Sequence, residues 1–367
     1  MNKRVLIIGG YGNFGSFISR SLAKEKNIQL IISGRSKVKA DLLIADLDYI
    51  NTPEIFVLDI IKDILGNLKK INPDIVIHTS GPFQAQSYEV AEACIAVGAN
   101  YMDLADGRDF VDNIISLDQA AVNNNVLIIS GASSVPCLTA ALIDYYSEQF
   151  QSIDTIDYGI TTAQKTARGL ATTAAILGYT GKPFKTLVDS HNVDVYGWQG
   201  LKIRQYKKLG YRLLGNCDVP DLALFPKRYP TIKSIRFYAG LELPFIHVTL
   251  WGLSWLVRWK FIKNLEKFAP LLLRISFWFD RLGSSKSAFH MQLSGTANDG
   301  DQRELTFELT AESGDGPYIP CMPAILLTKK IISGECDKTG AFPCVDFISR
   351  DEYLSALAEL DISWQEY

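Results

Sequence analysis

Three glycines near the start of the chain have a spacing that suits contact with phosphate. They form a G-x-G-x-x-G pattern that follows the apolar run 5–8 and opens an amphipathic stretch. The pattern predicts a strand-to-helix turn whose backbone approaches a pyrophosphate while the helix N-terminus supplies N–H groups. A glycine-rich turn without a ligand is the alternative, and the flanking strand and helix favour dinucleotide binding. The residues assigned to this turn are Gly9, Gly10, Gly12, Asn13, Phe14 and Gly15.

The end of the second predicted strand indicates which dinucleotide is bound. The chain reads Gly34-Arg35-Ser36 there, without the Asp or Glu that NAD enzymes use to hold the ribose hydroxyls. Arg35 offers a cation to a 2′-phosphate, and Ser36 a second donor through its hydroxyl or backbone N–H; a solvated loop arginine is the alternative. We therefore predict NADP(H) in preference to NAD(H). Asp59, after the third strand, either accepts from the adenine amino group or caps the next helix.

Three residues are candidates for proton transfer and substrate binding. His78 ends the fourth predicted strand, at the sheet edge where α/β folds bind ligands, and is either a proton donor or a packed histidine bonded to backbone. Arg168, where a helix of the second domain begins, either holds a carboxylate or phosphate-bearing carrier or is a solvated charge. Tyr179 follows on the same helix and is a candidate proton donor after hydride transfer.

The turn after the fourth strand suits the neighbourhood of a nicotinamide. It contains Ser80, Gly81, Pro82 and Phe83. Gly81 permits close approach of backbone, and Pro82 fixes φ and removes a donor. Phe83 either covers one face of the nicotinamide ring or belongs to the core.

Several motifs resemble the saccharopine dehydrogenase-like oxidoreductase family. They are the GPF turn at 81–83, VAEAC at 90–94, GANYMD at 98–103, GASSVP at 131–136, GDGPYIP at 314–320 and FPCVDF at 342–347. The resemblance implies an NADP-binding Rossmann domain and oxidoreductase activity. The family includes trans-acting enoyl reductase-like members that act on lipid-like substrates, as well as the saccharopine enzymes. His78 stands where relatives often have asparagine.

Alternating short apolar runs and amphipathic stretches predict the fold that positions these residues. We expect a Rossmann domain, a doubly wound parallel α/β sheet, followed by a second α+β domain with an open, partly antiparallel sheet. The first domain spans 1–135 and is completed by 318–367, and the substrate or oligomerisation domain spans 136–317. The predicted strands are 5–8, 28–33, 55–58, 75–78, 100–104 and 126–129, the predicted helices 14–25, 61–71, 86–97 and 110–123, and a hairpin joins 289–297 to 305–311.

The segment 241–282 is unusually apolar and contains four of the six tryptophans. Trp251, Trp255 and Trp259 recur every four residues, on one face of a predicted helix, and several lysines and arginines follow. One interpretation is a helical hairpin, broken at Pro270, that packs on the second domain or on a second subunit. The other is an interfacial membrane segment with a basic rim. A lid over an apolar substrate is compatible with both.

Composition limits the classes of partner. Hydrophobic residues make up 47% and charged residues 21% of the 367 residues, which predicts a soluble two-domain protein. A net charge of -3 without a basic tail disfavours nucleic acid. The six cysteines are scattered without metal-ligand spacing, so we expect reduced thiols, no metal and a cytoplasmic location, with membrane-peripheral contact through 241–282 as an option.

These features together predict an NADP-dependent oxidoreductase that reduces an activated double bond in a small apolar or lipid-like substrate. One alternative is saccharopine-type reduction of an imine or an amino-acid-derived substrate. Another is a non-catalytic NADP-binding scaffold or sensor, because binding does not prove turnover. We expect a homodimer.

Overall fold

The computed structural model describes residues 2–367, and the chain divides into two compact units. Unit 1 is Met1–Ala141 with Tyr318–Ala356, and unit 2 is Leu142–Pro317 with Leu357–Tyr367. The sequence analysis groups the last eleven residues with the first domain, whereas here they belong to unit 2.

The strands are β1 Lys3–Ile8, β2 Ile28–Gly34, β3 Glu54–Val57, β4 Ile75–His78, β5 Asn100–Asp103, β6 Leu127–Ser130, β7 Phe150–Thr162, β8 Pro183–Val188, β9 His191–Tyr196, β10 Lys202–Tyr206, β11 Gly210–Asn216, β12 Ser234–Leu241, β13 Ser287–Ala297, β14 Gln302–Ala311, β15 Gly340–Pro343 and β16 Ile362–Glu366. The α-helices are α1 Asn13–Leu22, α2 Lys37–Ala45, α3 Ile64–Ile71, α4 Glu89–Val97, α5 Arg108–Asp112, α6 Asp118–Asn123, α7 Thr139–Ser147, α8 Leu170–Tyr179, α9 Asp221–Arg228, α10 Pro244–Arg258, α11 Ala269–Phe277, α12 Met322–Ser333 and α13 Arg350–Ala356.

Unit 1 is built on a parallel sheet of seven strands in the order β15-β6-β5-β4-β1-β2-β3. The order reverses at β1, which pairs in parallel with both β2 and β4. Ile8 is in register with Ser33 on one side and with His78 on the other, so the loops after these three strands leave the same edge of the sheet. Open α/β sheets bind ligands at such a reversal point. The predicted Rossmann fold is confirmed.

The six strands predicted for unit 1 are all present, with ends within two residues of the predicted ones. Helix α2 and strand β15 are among the elements of unit 1 that were not predicted. Helix α2 begins after Ser36, whose side chain accepts a hydrogen bond from the Lys39 N–H and caps the helix. The strand β15 adds to β6 from far along the chain. The single helix predicted over 110–123 is instead α5 and α6 joined by the 3-10 turn Asn113–Leu117.

Unit 2 contains a mixed sheet of seven strands in the order β10-β11-β12-β7-β13-β14-β16, and β8 and β9 form a separate hairpin. Only β12 and β7 pair in parallel. The predicted hairpin is present as β13 and β14, with Leu305 opposite Leu293. The α+β class of the second domain is confirmed.

Both faces of β14 are buried over most of the strand. Alternation along the strand predicts that Thr306, Glu308 and Thr310 face solvent, but all three are buried. Glu308 accepts hydrogen bonds from the Lys207 backbone N–H and from Gln365. Other parts of the unit therefore cover this face, which sequence alternation alone does not reveal.

The segment 241–282 forms α10 and α11, so the helical prediction holds but the position of the break is wrong. The chain leaves α10 at Trp259, and Lys260 adopts a positive φ of 64°. Pro270 lies in the first turn of α11, a position where a helix tolerates proline because the N–H is not needed. No helix among residues 2–367 is long and apolar enough to cross a membrane.

Candidate functional site

The glycine turn between β1 and α1 has the close contacts expected of a phosphate cradle. Gly9 has a φ of 81°, a conformation that favours glycine. A Cβ at Gly15 would overlap the Gly9 carbonyl oxygen, so glycine is needed there for close packing of helix and strand. The Gly12 N–H donates to the Gly9 carbonyl oxygen over 2.8 Å, which fixes the turn.

The first turn of α1 is free to bind an anion. Gly12 is the N-cap, no side chain caps the helix, and no acidic residue lies in the first turn. A Cβ at Gly12 would meet only the Gly9 oxygen at 3.1 Å, so its remaining surroundings are open. The backbone N–H groups and the helix dipole at this end suit a pyrophosphate. These residues fit the dinucleotide that the sequence predicts.

A depression of about 490 Å³ lies beside the ends of β2 and β3. It is lined by Arg35, Val57, Leu58, Asp59, Lys62 and Asn67. Arg35 is exposed, and its side chain forms no hydrogen bond or ion pair within residues 2–367. Its guanidinium is therefore available for a phosphate, and Lys62 adds a second cation that the sequence analysis missed.

Ser36 has less freedom than the sequence analysis assigned to it. Its backbone N–H donates to the Tyr11 hydroxyl over 2.8 Å, and its side-chain oxygen accepts from the Lys39 N–H over 3.4 Å. The backbone N–H is thus not available to a cofactor, and only the hydroxyl proton of Ser36 remains as a donor.

Asp59 does not cap the next helix, and its contact with the adenine amino group stays a prediction. One carboxylate oxygen accepts from the Ile61 N–H over 3.3 Å, which caps the local turn. The next helix, α3, is capped by Asp63 instead. Asp59 also lines the depression beside Arg35, where its carboxylate lies 3.9 Å from the Lys62 ammonium.

The turn after β4 packs against the glycine turn. A Cβ at Gly9 would come within 2.5 Å of the Ser80 hydroxyl, so the two turns touch. Gln86 holds the GPF turn by donating to the carbonyl oxygens of Ser80 and Pro82. Phe83 is only 4% exposed, so of the two roles proposed for its ring the structure fits the core.

His78 is enclosed at the end of β4. It is 1% exposed, its Nδ1 lies 3.2 Å from the Tyr101 hydroxyl, and its ring packs edge-on against Phe83. Burial lowers the pKa of His78 to about 4, so the imidazole is neutral near pH 7. These contacts fit the packed histidine, although its partner is a side chain and not the backbone.

Asp103, at the end of β5, is a buried carboxylate that the sequence analysis missed. One oxygen accepts from the backbone N–H groups of Ala105 and Gly131 and from the Ser130 hydroxyl, over 2.9 to 3.0 Å. Burial raises the pKa of Asp103 to about 6, against the lowering effect of these hydrogen bonds. The carboxylate ties the loop after β5 to the loop after β6. The sequence feature that could have identified Asp103 is its place at the carboxyl end of a central strand.

Arg168 and Tyr179, the two candidate site residues of unit 2, each contact different side chains of the same unit. Arg168 forms an ion pair with Asp280 and lies over the Phe277 ring, 4.7 Å from its centroid. The Tyr179 hydroxyl, at the end of α8, lies 3.1 Å from the Cys217 sulfur.

Comparison with known families identifies unit 1. The family model described as the saccharopine dehydrogenase NADP binding domain matches residues 5–129. These residues of unit 1 are similar to the NADP-binding domain of this family. The saccharopine dehydrogenase-type domain spans β1 to β6, with the glycine turn, Arg35 and the GPF turn inside the matched range. No curated protein matches the chain.

Solved structures extend the likeness to both units. Apo saccharopine dehydrogenase (L-Glu forming) from Saccharomyces cerevisiae aligns over 100% of both chains, with 12% identity and a TM-score of 0.67. An amine dehydrogenase from Mycobacterium smegmatis aligns over 94% of this chain and 96% of its own, with 13% identity and a TM-score of 0.48. At such identities, the first likeness establishes a shared fold.

The match over residues 5–129 supports a saccharopine dehydrogenase-like, NADP-binding oxidoreductase. The family match thereby supports the predicted cofactor, NADP(H), and a small-molecule substrate. It favours the imine or amino-acid alternative over the activated double bond that the sequence analysis put first.

Proposed function

We propose that this protein transfers a hydride between NADP(H) and the carbon of a carbon–nitrogen bond in an imine or an amino-acid-derived substrate. The observation that carries the proposal is the saccharopine dehydrogenase-type NADP-binding domain over residues 5–129. When bound, the cofactor supplies the hydride, and a proton reaches the nitrogen as the imine becomes an amine.

The residues of unit 1 would hold the cofactor in three places. The uncapped first turn of α1 and Gly12 would bind the pyrophosphate. Arg35 would bind the 2′-phosphate in the depression that Asp59 also lines, and the turn at Ser80 would lie beside the nicotinamide half. Because the buried His78 is neutral, we do not assign it the proton transfer.

Arg168 and Tyr179 are the proposed substrate residues of unit 2. Arg168 already pairs with Asp280, so a substrate carboxylate would have to compete with that carboxylate. An Arg168→Lys variant would keep the charge but lose the bidentate geometry, and a rise in KM with little change in kcat would support a binding role.

The test compares substrate classes with purified protein and NADPH. One panel combines 2-oxo acids with amino acids or amines, and a second contains α,β-unsaturated acyl compounds. We expect NADPH oxidation with members of the first panel and NADP⁺ reduction with the corresponding secondary amines. The Gly12→Val variant is the control for turnover that does not depend on cofactor binding.

Turnover confined to the unsaturated panel would overturn the proposal in favour of double-bond reduction in an apolar substrate. Tight NADPH binding without turnover in any panel would instead support a scaffold or sensor. We also propose a homodimer and a cytoplasmic location, which sedimentation of the purified protein and cell fractionation would test.

A further inference from the structure

The segment 244–282 of unit 2 leaves an unusually large aromatic surface uncovered. Helix α10 buries His247, Leu250, Ser254 and Val257 on its inner side, yet its outer side is also apolar. A helix that is apolar all round is normally enclosed on every side. The exposed aromatic side chains, here called the aromatic face, are Phe245, Trp259, Phe261, Phe268, Phe277 and Trp278, with exposed fractions of 45 to 76%.

The exposed phenylalanines are confined to one stretch of the chain, whereas exposed tyrosines and Trp364 also occur elsewhere. Within residues 2–367, every phenylalanine outside the aromatic face is buried or half-buried. The rings of Phe245 and Phe279 pack at 5.1 Å between centroids, which links the start of α10 to the segment that follows α11. Trp251, Trp255 and Trp259 line an apolar recess of about 340 Å³ on α10. Exposed apolar side chains concentrated in one segment are typical of an interaction site.

The charges around the aromatic face are mostly positive. Residues 244–282 contain six basic and two acidic residues, a net charge of +4 in a chain whose net charge is -3. Within residues 2–367, neither Lys260, Lys263 nor Lys267 forms an ion pair. Of the two acids, Asp280 is paired with Arg168. The other, Glu266, accepts a hydrogen bond from the Asn264 side chain and forms no ion pair within residues 2–367, so the free lysines are not paired with a carboxylate of this segment.

We propose that the aromatic face docks on an anionic phospholipid bilayer and lies in its interface. Tryptophan and phenylalanine side chains are suited to the headgroup and acyl boundary, and lysines at the rim are attracted to anionic lipids. The fifteen residues of α10 span only about 22 Å, less than the roughly 30 Å of a hydrocarbon core, so the helix lies along the surface.

A second copy of the chain fits this surface less well. In a two-fold dimer the same face meets itself, so both sides of the interface would carry the same excess of positive charge. Burying those cations without carboxylates would cost free energy that the apolar contact must offset. An anionic bilayer supplies the missing negative charge.

The test is co-sedimentation of the full-length protein with vesicles. We expect binding to vesicles of phosphatidylcholine with phosphatidylserine, much weaker binding to phosphatidylcholine alone, and release by added salt. No binding to the phosphatidylserine vesicles at low salt would overturn the proposal.

An aromatic variant tests the apolar contribution. Changing Trp259, Phe261 and Trp278 to serine should abolish vesicle binding, because these three side chains are 60, 76 and 71% exposed and contribute little to the core. The matched control changes Ile115, Ile203 and Tyr211 to serine, which are similarly exposed elsewhere. An equal loss of binding in the control would count against the aromatic face, and an unchanged melting temperature checks the fold of both variants.

A charge variant tests the lipid specificity. Changing Lys260, Lys263 and Lys267 to glutamate should weaken binding to phosphatidylserine vesicles by more than about a hundredfold, since each basic residue near an anionic surface contributes about fivefold. The matched control changes Lys24, Lys26 and Lys70 to glutamate. A different outcome would be a wild-type dimer that does not bind vesicles and that dissociates in the aromatic variant. The aromatic face would then bind a second copy of the chain, and the proposal would be wrong.

Discussion

The hydroxyl of Tyr11 accepts a hydrogen bond of 2.8 Å from the backbone N–H of Ser36. The contact joins the glycine turn after β1 to the loop after β2. Gly34 permits it, because a Cβ at that position would lie 2.5 Å from the Tyr11 hydroxyl. The two loops that would hold the pyrophosphate and the 2′-phosphate are thus fixed relative to each other by one side chain.

Removing that hydroxyl should weaken NADPH binding without unfolding the protein. In Tyr11→Phe we expect the Kd for NADPH to rise about fivefold, the equivalent of one net hydrogen bond of about 1 kcal/mol. Isothermal titration measures the change. Tyr49→Phe, which removes the hydroxyl of a tyrosine that is 40% exposed, is the matched control. An unchanged Kd in Tyr11→Phe would mean that the loop after β2 does not need this contact.

Arg35→Ala should reduce the preference for NADPH over NADH. A hydrogen bond to a charged group contributes roughly 1.5 to 3 kcal/mol, so we expect a ten- to hundredfold loss in affinity for NADPH and little change for NADH. Because Arg35 is exposed, the preference of the wild type should also shrink with salt. Arg303→Ala, on the surface of unit 2, is the control. Equal affinities of the wild type for NADPH and NADH would show that Arg35 does not bind the 2′-phosphate.

Gly12→Val should abolish cofactor binding while the fold persists. A side chain at Gly12 would extend into the open space where the pyrophosphate must approach, and its Cβ contacts only the Gly9 oxygen. Gly15→Ala provides the contrast, because its Cβ would overlap backbone and should lower the melting temperature. Normal NADPH affinity in a folded Gly12→Val protein would show that the motif is only a turn.

His78→Asn should reduce the loss of stability in acid. Burial lowers the pKa of His78 from 6.5 to about 4, so the unfolded chain takes up a proton before the folded protein does. The free energy of unfolding therefore falls as the pH drops from 6.5 through 4, by on the order of 3 kcal/mol for this residue.

Urea titrations at pH values across that range measure the effect. His191→Asn, at the exposed start of β9, is the control and should keep the acid dependence of the wild type. A loss of kcat greater than about a hundredfold in folded His78→Asn would contradict a packing role and return His78 to proton transfer.

Six of the seven strands in the sheet of unit 1 and the position of the glycine turn could be predicted from local sequence patterns. Short apolar runs separated by amphipathic stretches are local signals, because a strand or helix must bury one side wherever it packs. The reversal at β1, which aligns the ends of β1, β2 and β4, follows from that pattern once the strands pair in parallel. The exposed arginine at position 35 could also be predicted, since its strand and turn were both visible.

Which polar groups already have hydrogen-bond partners, and which side chains are buried, could not be predicted before the fold was known. The Ser36 N–H is bound to Tyr11, Phe83 is core, and His78 is neutral because Tyr101 and Phe83 enclose it. The sequence gives the position of each side chain along the chain and its place on a predicted strand or helix. Whether water or protein surrounds that side chain depends on contacts between residues far apart in sequence, and burial and hydrogen bonding set both its charge and its availability.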